Sequence, residues 1–268
     1  MRQLLHALSL AALVSSISAT SHADTGCTLV RKIGKQEPTY HAGELCESEF
    51  APASTFKLPL ALMGFEMEVL QSPDEPKVEY DPAVKAPYKN WQQATTPQTW
   101  LRYSVIWYSQ WLTQQLGENE FQRHVDKLNY GNRDLMGTPG KNDGLTQAWL
   151  STSLKITPRQ QSEFLMRLVS RELPYSANSM DQTVATTQEF EAAGDLLIKG
   201  KTGNAWATDA SSNRLKEQHG WFVGWLSHNG AQYVFVHLIV EDGNDPGFSS
   251  TRARKQVLAN ISKWIDGD

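Results

Sequence analysis

The sequence predicts a mixed α/β fold of the α+β type: an antiparallel sheet drawn from both chain ends, flanked by helices, with a helical insertion over roughly 71–190. Three observations predict it. Short β-rich runs separated by turns stand near the two ends of the 268 residues, and runs with helical spacing stand between them. The order is strands, helices, strands, helix. Hydrophobic residues make up 40% and charged residues 20%, enough for a sizeable core and too apolar for global disorder. A chain of this length is one large domain or two intimate subdomains, and residues 24–268 read as a single domain with a cleft where its helical part meets the sheet.

The elements follow in order. Residues 29–33 and 39–41 are two short runs separated by Gly34-Lys35-Gln36, which predicts a β-hairpin. Cys27 and Cys46 flank it. The outer ends of a hairpin lie close together, so in an oxidising compartment these two cysteines suggest a disulfide; two free buried thiols are the alternative. A helix over 51–70 carries Phe56, Leu60, Met63 and Met67 on one side. Pro52 suits its start, whereas Pro59 removes a backbone donor in the second turn. Residues 71–96 form a long surface loop, 100–116 and 118–128 are helices, and 130–144 is a glycine-rich loop. Residues 158–171 have helical spacing. The strands 196–201, 220–225 and 233–240 follow, the last two joined by the turn signal Ser227-His228-Asn229-Gly230. A helix over 251–264 ends the chain.

The first residues read as a secretory signal, 1–23. Arg2 supplies the positive start, 4–14 the apolar stretch, and Ser21-His22-Ala23 the small residues before cleavage. The alternative is an uncleaved anchor. No later stretch approaches about 18 apolar residues, so the mature form, from Asp24 onward, is expected to be exported, periplasmic or secreted, with no membrane segment. A net charge of -4 without a basic block argues against nucleic acid as a partner. Nothing in the sequence chooses between monomer and homodimer.

Three constellations could carry chemistry. In Ser54-Thr55-Phe56-Lys57 the hydroxyl and amine stand three apart, on one helix face. A serine becomes nucleophilic when a neighbour takes its proton, and a lysine does so only when its positive charge is suppressed. Lys201-Thr202-Gly203 ends an apolar strand and offers a fixed charge, a hydroxyl and room at the strand edge. Ser104-Val105-Ile106 places a serine in the apolar run 103–107. Each alone is weak: an ordinary helix serine, a polar strand end and a satisfied hydroxyl are their bland readings. The three in this order are the arrangement of penicillin-recognising serine enzymes.

The chain resembles the class D serine β-lactamases, the oxacillinase group. Pro52-Ala53-Ser54-Thr55-Phe56-Lys57 matches the family's nucleophile signature, and Tyr130-Gly131-Asn132 its loop motif. Trp149-Leu150-Ser151-Thr152-Ser153-Leu154, Lys201-Thr202-Gly203 and Gly220-Trp221-Phe222-Val223-Gly224-Trp225 complete the match, which spans essentially the whole mature chain. One departure stands at Ile106, where the family usually has valine; the residue stays apolar, and only the shape of the cleft wall is expected to change.

The resemblance implies the penicillin-recognising serine enzyme fold and hydrolysis of β-lactam antibiotics, giving resistance. Ser54 would form an acyl-enzyme that water then hydrolyses. Lys57, carboxylated by carbon dioxide, would be the base, with no other cofactor. Trp149 would donate its indole hydrogen to that carbamate, since indole nitrogen is donor-only. Ser104 would relay a proton to the leaving nitrogen. Lys201, Thr202 and an arginine would bind the substrate carboxylate. Arg252 and Arg254 are both available for this, and the spacing of Arg254 to Val257 and Ile261 favours Arg254. Ile106 and Gly203 would line the cleft, and the backbone donors of Ser54 and Asn204 would form the oxyanion hole. Two other readings are a D,D-peptidase and a non-catalytic penicillin sensor domain; both expect a long-lived acyl-enzyme, and the sensor also expects a membrane segment and an effector domain. No metal is expected, because His41, His124, His219, His228 and His237 show no metal-ligand spacing. The loop near 204–213 would set whether carbapenems or bulky cephalosporins are accepted.

Overall fold

The computed structural model describes residues 26–209 and 211–267; the signal segment 1–23 and its cleavage site lie outside them. The sheet has six antiparallel strands, β1 (Gly26–Lys32), β2 (Tyr40–Ala42), β3 (Glu189–Ala192), β4 (Leu196–Thr208), β5 (Arg214–His228) and β6 (Ala231–Glu241), in the order β2-β1-β6-β5-β4-β3. β1 from the start of the described chain pairs with β6 from near its end, Leu29 opposite Val236, so the sheet closes across both chain halves as expected. Asn229 and Gly230, both with positive φ (50° and 73°), turn β5 into β6 in the way a two-residue hairpin requires.

The helices are α1 (Lys57–Glu66), α2 (Pro97–Tyr103), α3 (Ile106–Leu116), α4 (Glu118–Leu128), α5 (Gly144–Gln147), α6 (Pro158–Val169), α7 (Ala177–Thr186) and α8 (Ser249–Asp266). α8 covers one face of the sheet. Its stripe Ala253, Val257, Ile261 and Ile265 recurs every four residues and packs on Ile198, Phe222 and Phe235. The N-terminus of α8 lies directly on β5, because a Cβ at Gly220 would meet the Ser250 nitrogen at 2.2 Å. The other face carries the larger core, with α1 at its centre. No helix among the described residues is long and apolar enough to cross a membrane.

Several elements differ from the sequence expectation, and the differences bear on function. The segment expected as one helix over 51–70 is a 3-10 turn, Ala53–Phe56, followed by α1. All of Lys57 to Phe65 is buried, so α1 has no polar face and the one-sided stripe was too narrow a reading. Pro59 falls in the first turn of α1, where its missing donor has no helical partner to lose. The helix expected over 100–116 breaks at Ser104, whose φ and ψ of 57° and 37° are left-handed. The strand expected to stop at Lys201 runs on to Thr208, because β5 supplies its ladder, with Lys201 opposite Val223 and Gly203 opposite Trp221. α5, α7 and β3 were not expected. β3 has four residues and buries none, and the face α7 buries is mostly polar, Ser179, Thr183 and Thr186 beside Met180, which leaves little apolar periodicity to read.

Cys27 and Cys46, both buried, are joined as a disulfide across 19 residues of chain. Closing a loop of this length stabilises by roughly 3 kcal/mol on the chain-entropy argument. Changing both cysteines to serine is therefore expected to lower the thermal midpoint while kcat/KM stays unchanged, because neither sulfur reaches the cleft described below. Thiol titration of unreduced, denatured protein should find no free thiol; two free thiols would refute the bridge.

Candidate active site

The site is assembled where the 3-10 turn Ala53–Phe56 meets the middle of β4. Ala53 has a φ of 49°, a left-handed conformation that costs a non-glycine residue roughly 1–2 kcal/mol. Surrounding contacts impose it. Ala53 N–H donates to the Trp149 carbonyl (3.1 Å), and Thr55 N–H and hydroxyl both donate to the Pro52 carbonyl (3.1 and 2.6 Å). Gln161 donates to the Thr55 hydroxyl at 2.7 Å and accepts from the Tyr130 hydroxyl at 3.2 Å, so a buried polar chain braces the turn from behind. Gly203 lets the turn lie against β4: a Cβ there would meet the Pro52 carbonyl at 2.8 Å and Thr55 Cγ2 at 2.9 Å.

Ser54 and Lys57 do share one face. Lys57 Nζ donates to Ser54 Oγ at 3.3 Å. Lys57 is completely buried, and its amine is held well below the usual lysine range, first by burial and then by the nearby charge of Lys201. Lys201, 4% exposed, donates to Ser104 Oγ and to the Thr202 carbonyl (3.0 Å). Burial, aided by the charge of Arg254, pushes its amine down to about 7. Neither lysine forms an ion pair among the described residues, so the two amines form a buried basic pair suited to receiving an anion.

Trp149 stacks on Phe56, with centroids 5.6 Å apart, and is fully buried. Its indole Nε1 has no hydrogen-bond partner, a rare state for a buried donor. Tyr130-Gly131-Asn132 and the segment after Trp149 brace one another: Asn132 donates to the Ser153 carbonyl (2.8 Å) and accepts from Lys155 N–H (3.0 Å). These motif residues act as structural braces.

The cleft beside this centre encloses about 860 Å³. Ser54, Ser104, Ile106, Thr202 and Asn204 line it, together with Ser250 from the first turn of α8. β3 pairs with β4 only as far as Lys199, and Gly200 N–H then donates to the Gln188 carbonyl at 3.0 Å. Alternate residues share a direction, so the N–H groups of Thr202 and Asn204 point to that same, now open, edge. Asn204 also accepts from Ser250 N–H at 3.1 Å and donates to Gln218 at 3.2 Å, which pins the start of α8 to the cleft.

The two candidate arginines are placed differently. The Arg254 guanidinium lies 5.4 Å from the Phe190 ring, towards β3, and its charge still acts on the Lys201 amine. Arg252 is held by Glu241 and donates to the Pro246 carbonyl at 3.0 Å. The physical reason is helical phase. Ala253, Val257 and Ile261 face the sheet, which turns Arg254 to the side, while Ser250 and Thr251, a turn earlier, reach the cleft wall. The cluster Ser249-Ser250-Thr251 before an apolar run was the signal available for this in the sequence.

Comparison with known proteins agrees with this geometry. Residues 12–263 match the family described as penicillin binding protein transpeptidase domain. The β-lactamase OXA-9 of Klebsiella pneumoniae is 38% identical over 92% of this chain and 91% of its own length. The chain belongs to the class D β-lactamases. The β-lactamase OXA-1 of Escherichia coli is 34% identical over 81% of this chain and 76% of its own. The crystal structure of the class D β-lactamase OXA-427 superimposes with a TM-score of 0.83 and 43% identity, covering 89% of this chain and 98% of that one. This class D β-lactamase is therefore a hydrolase with the penicillin-recognising fold, and its motif residues fall on the turn, the break and the strand described above.

Proposed function

We propose that this enzyme opens the lactam ring of penicillins and related antibiotics through an acyl-enzyme on Ser54, with Lys57 carboxylated as the general base, and so confers resistance from an exported, periplasmic location. The observation that carries this reading is a buried Lys57 amine, 3.3 Å from Ser54 Oγ, together with an unpartnered buried indole N–H on Trp149, which stacks on the adjoining Phe56. A depressed amine is neutral enough to add carbon dioxide, and the vacant donor of Trp149 fits the anion that results. On Lys57 the carbamate supplies an anionic proton acceptor where an ammonium would supply none.

The chain's own residues perform the remaining work. Ser54 Oγ bonds to the lactam carbonyl carbon while its proton leaves towards Lys57. The N–H groups of Ser54 and Asn204 receive the developing oxyanion. The C–N bond then breaks, and the nitrogen takes a proton from the Ser104 hydroxyl, which Lys201 replenishes through the hydrogen bond between them. In deacylation a water gives its proton towards Lys57 and bonds to the ester carbonyl carbon, the bond from that carbon to Ser54 Oγ breaks, and Ser54 Oγ takes the proton back. Lys201, Thr202 and Ser250 hold the substrate carboxylate, helped by the positive end of α8. Lys201 is driven down by burial, so an anion bound beside it restores its charge.

A chromogenic cephalosporin tests the reading. Many turnovers per enzyme are expected; a single stoichiometric burst followed by silence would mean a D,D-peptidase-like or sensor-like acyl trap and overturn it.

A further inference from the structure

The Ala51 carbonyl, three residues before Ser54, accepts two buried hydrogen bonds. His219 Nε2 and Trp221 Nε1 each lie 3.0 Å from it. A carbonyl has two lone pairs, so its capacity is filled. Because the oxygen can only accept, the His219 proton sits on Nε2. Burial holds that ring well below the usual histidine range, at about 4, so it stays neutral.

The donors come from one face of β5, opposite Ala205 and Gly203 of β4. The Phe50 ring packs against both, with centroids at 5.2 and 6.2 Å. On the other side Phe50 exchanges backbone hydrogen bonds with Ile156, at 3.0 and 2.9 Å. The chain is thus anchored at 50–51 immediately before it enters the left-handed turn at Ala53. The Trp221 indole alone would satisfy the Ala51 carbonyl. A second donor from a buried histidine is redundant for satisfaction, and an apolar side chain would be cheaper to bury. What two donors add is direction: they fix the carbonyl's plane, and with it the exit of the chain into Pro52 and Ala53.

We infer that His219, acting with Trp221, is a positioning residue for the nucleophile: the clamp on the Ala51 carbonyl holds the Ala53 turn that sets Ser54 beside Lys57 and the open edge of β4. The inference rests on Ser54 being the nucleophile. It concerns a residue that touches neither substrate nor reacting atoms, and that lies outside the motifs above.

The test compares His219→Phe, which keeps the ring volume and removes the donor, with His219→Gln, which restores a donor. Ile261→Val, on the buried side of α8 against the far face of the sheet, is the control for stability alone. Stopped-flow acylation by a penicillin gives kcat/KM, and intact-mass spectrometry gives the adduct. His219→Phe is expected to lower kcat/KM at least ten-fold, since small misplacements of a reacting group cost that much. His219→Gln should recover most of the loss, and Ile261→Val should lower the thermal midpoint with kcat/KM kept. His219→Phe within two-fold of the parent, or His219→Gln as impaired as His219→Phe, would overturn the clamp. Should His219→Phe not fold, Trp221→Phe, which removes the other donor, is read by the same criteria. Peptide mapping of the parent adduct separates the two claims: an adduct away from Ser54 refutes the nucleophile, whereas a Ser54 adduct forming at parent rate in the donor-less variant refutes only the clamp.

Discussion

Replacing Ser54 with alanine abolishes β-lactam turnover and leaves the fold in place. The expected loss is roughly 10⁴- to 10⁶-fold, the scale seen when a serine hydrolase loses its nucleophile and keeps only binding and its oxyanion donors. The fold should survive because Ser54 Oγ has one side-chain partner, Lys57 Nζ, at 3.3 Å. The turn itself is held by Ala53, Thr55 and Gln161. Lys57 loses one hydrogen bond, which is a small cost for an amine that burial already keeps from charging. The thermal midpoint should therefore move little. Mass spectrometry with a penicillin should show a covalent adduct in the parent and none in Ser54→Ala. An adduct persisting in the mutant would remove Ser54 from its role.

Removing the Trp149 indole donor makes the enzyme dependent on added bicarbonate. Trp149→Phe keeps an aromatic ring against Phe56 while removing the buried N–H that has no protein partner, at the cost of a smaller loss of volume. Trp149→Ala also removes the ring, and emptying a fully buried site of that size costs roughly 3–5 kcal/mol, so the phenylalanine variant reads the chemistry more cleanly. A charge-assisted hydrogen bond contributes about 1.5–3 kcal/mol, so carboxylation of Lys57 should weaken by about ten-fold or more. The pH direction follows from the depressed amine. Above its lowered pKa Lys57 is neutral and can hold carbon dioxide; as pH falls towards that pKa the amine takes a proton and carbon dioxide leaves. Activity should thus be lost reversibly on the acid side and return with bicarbonate, more visibly in the variant. Carbon-13 NMR after labelled bicarbonate should show a carbamate signal in the parent. If turnover in degassed buffer ignores bicarbonate in both proteins and no carbamate signal appears, Lys57 is not carboxylated.

The first turn of α8, through Ser250 and Thr251, lines the cleft together with Thr202. Arg252, engaged by Glu241, is left as a brace of the β6–α8 connection.

The local relations were legible in the sequence. A serine and a lysine three residues apart meet on any helical turn, and Ser54 and Lys57 do. Asn229-Gly230 makes a hairpin because both residues tolerate positive φ, and the apolar runs on either side become β5 and β6. Tertiary structure alone decided the rest. Ser104 and Lys201 are 97 residues apart and meet only because the helix breaks at Ser104 and β4 continues past Lys201. The break and the continuation are imposed by neighbours, the strand by pairing with β5 and the serine by a left-handed turn that no propensity favours. The phase of α8, which sets Ser250 on the cleft and Arg254 beside Phe190, depends on which side chains the sheet leaves room for. Periodicity records what each segment prefers when one face is wet. It says little about α1, buried on every side, or about the Ala51 carbonyl and His219, which meet across 168 residues, because those contacts depend on packing between segments and leave no local pattern.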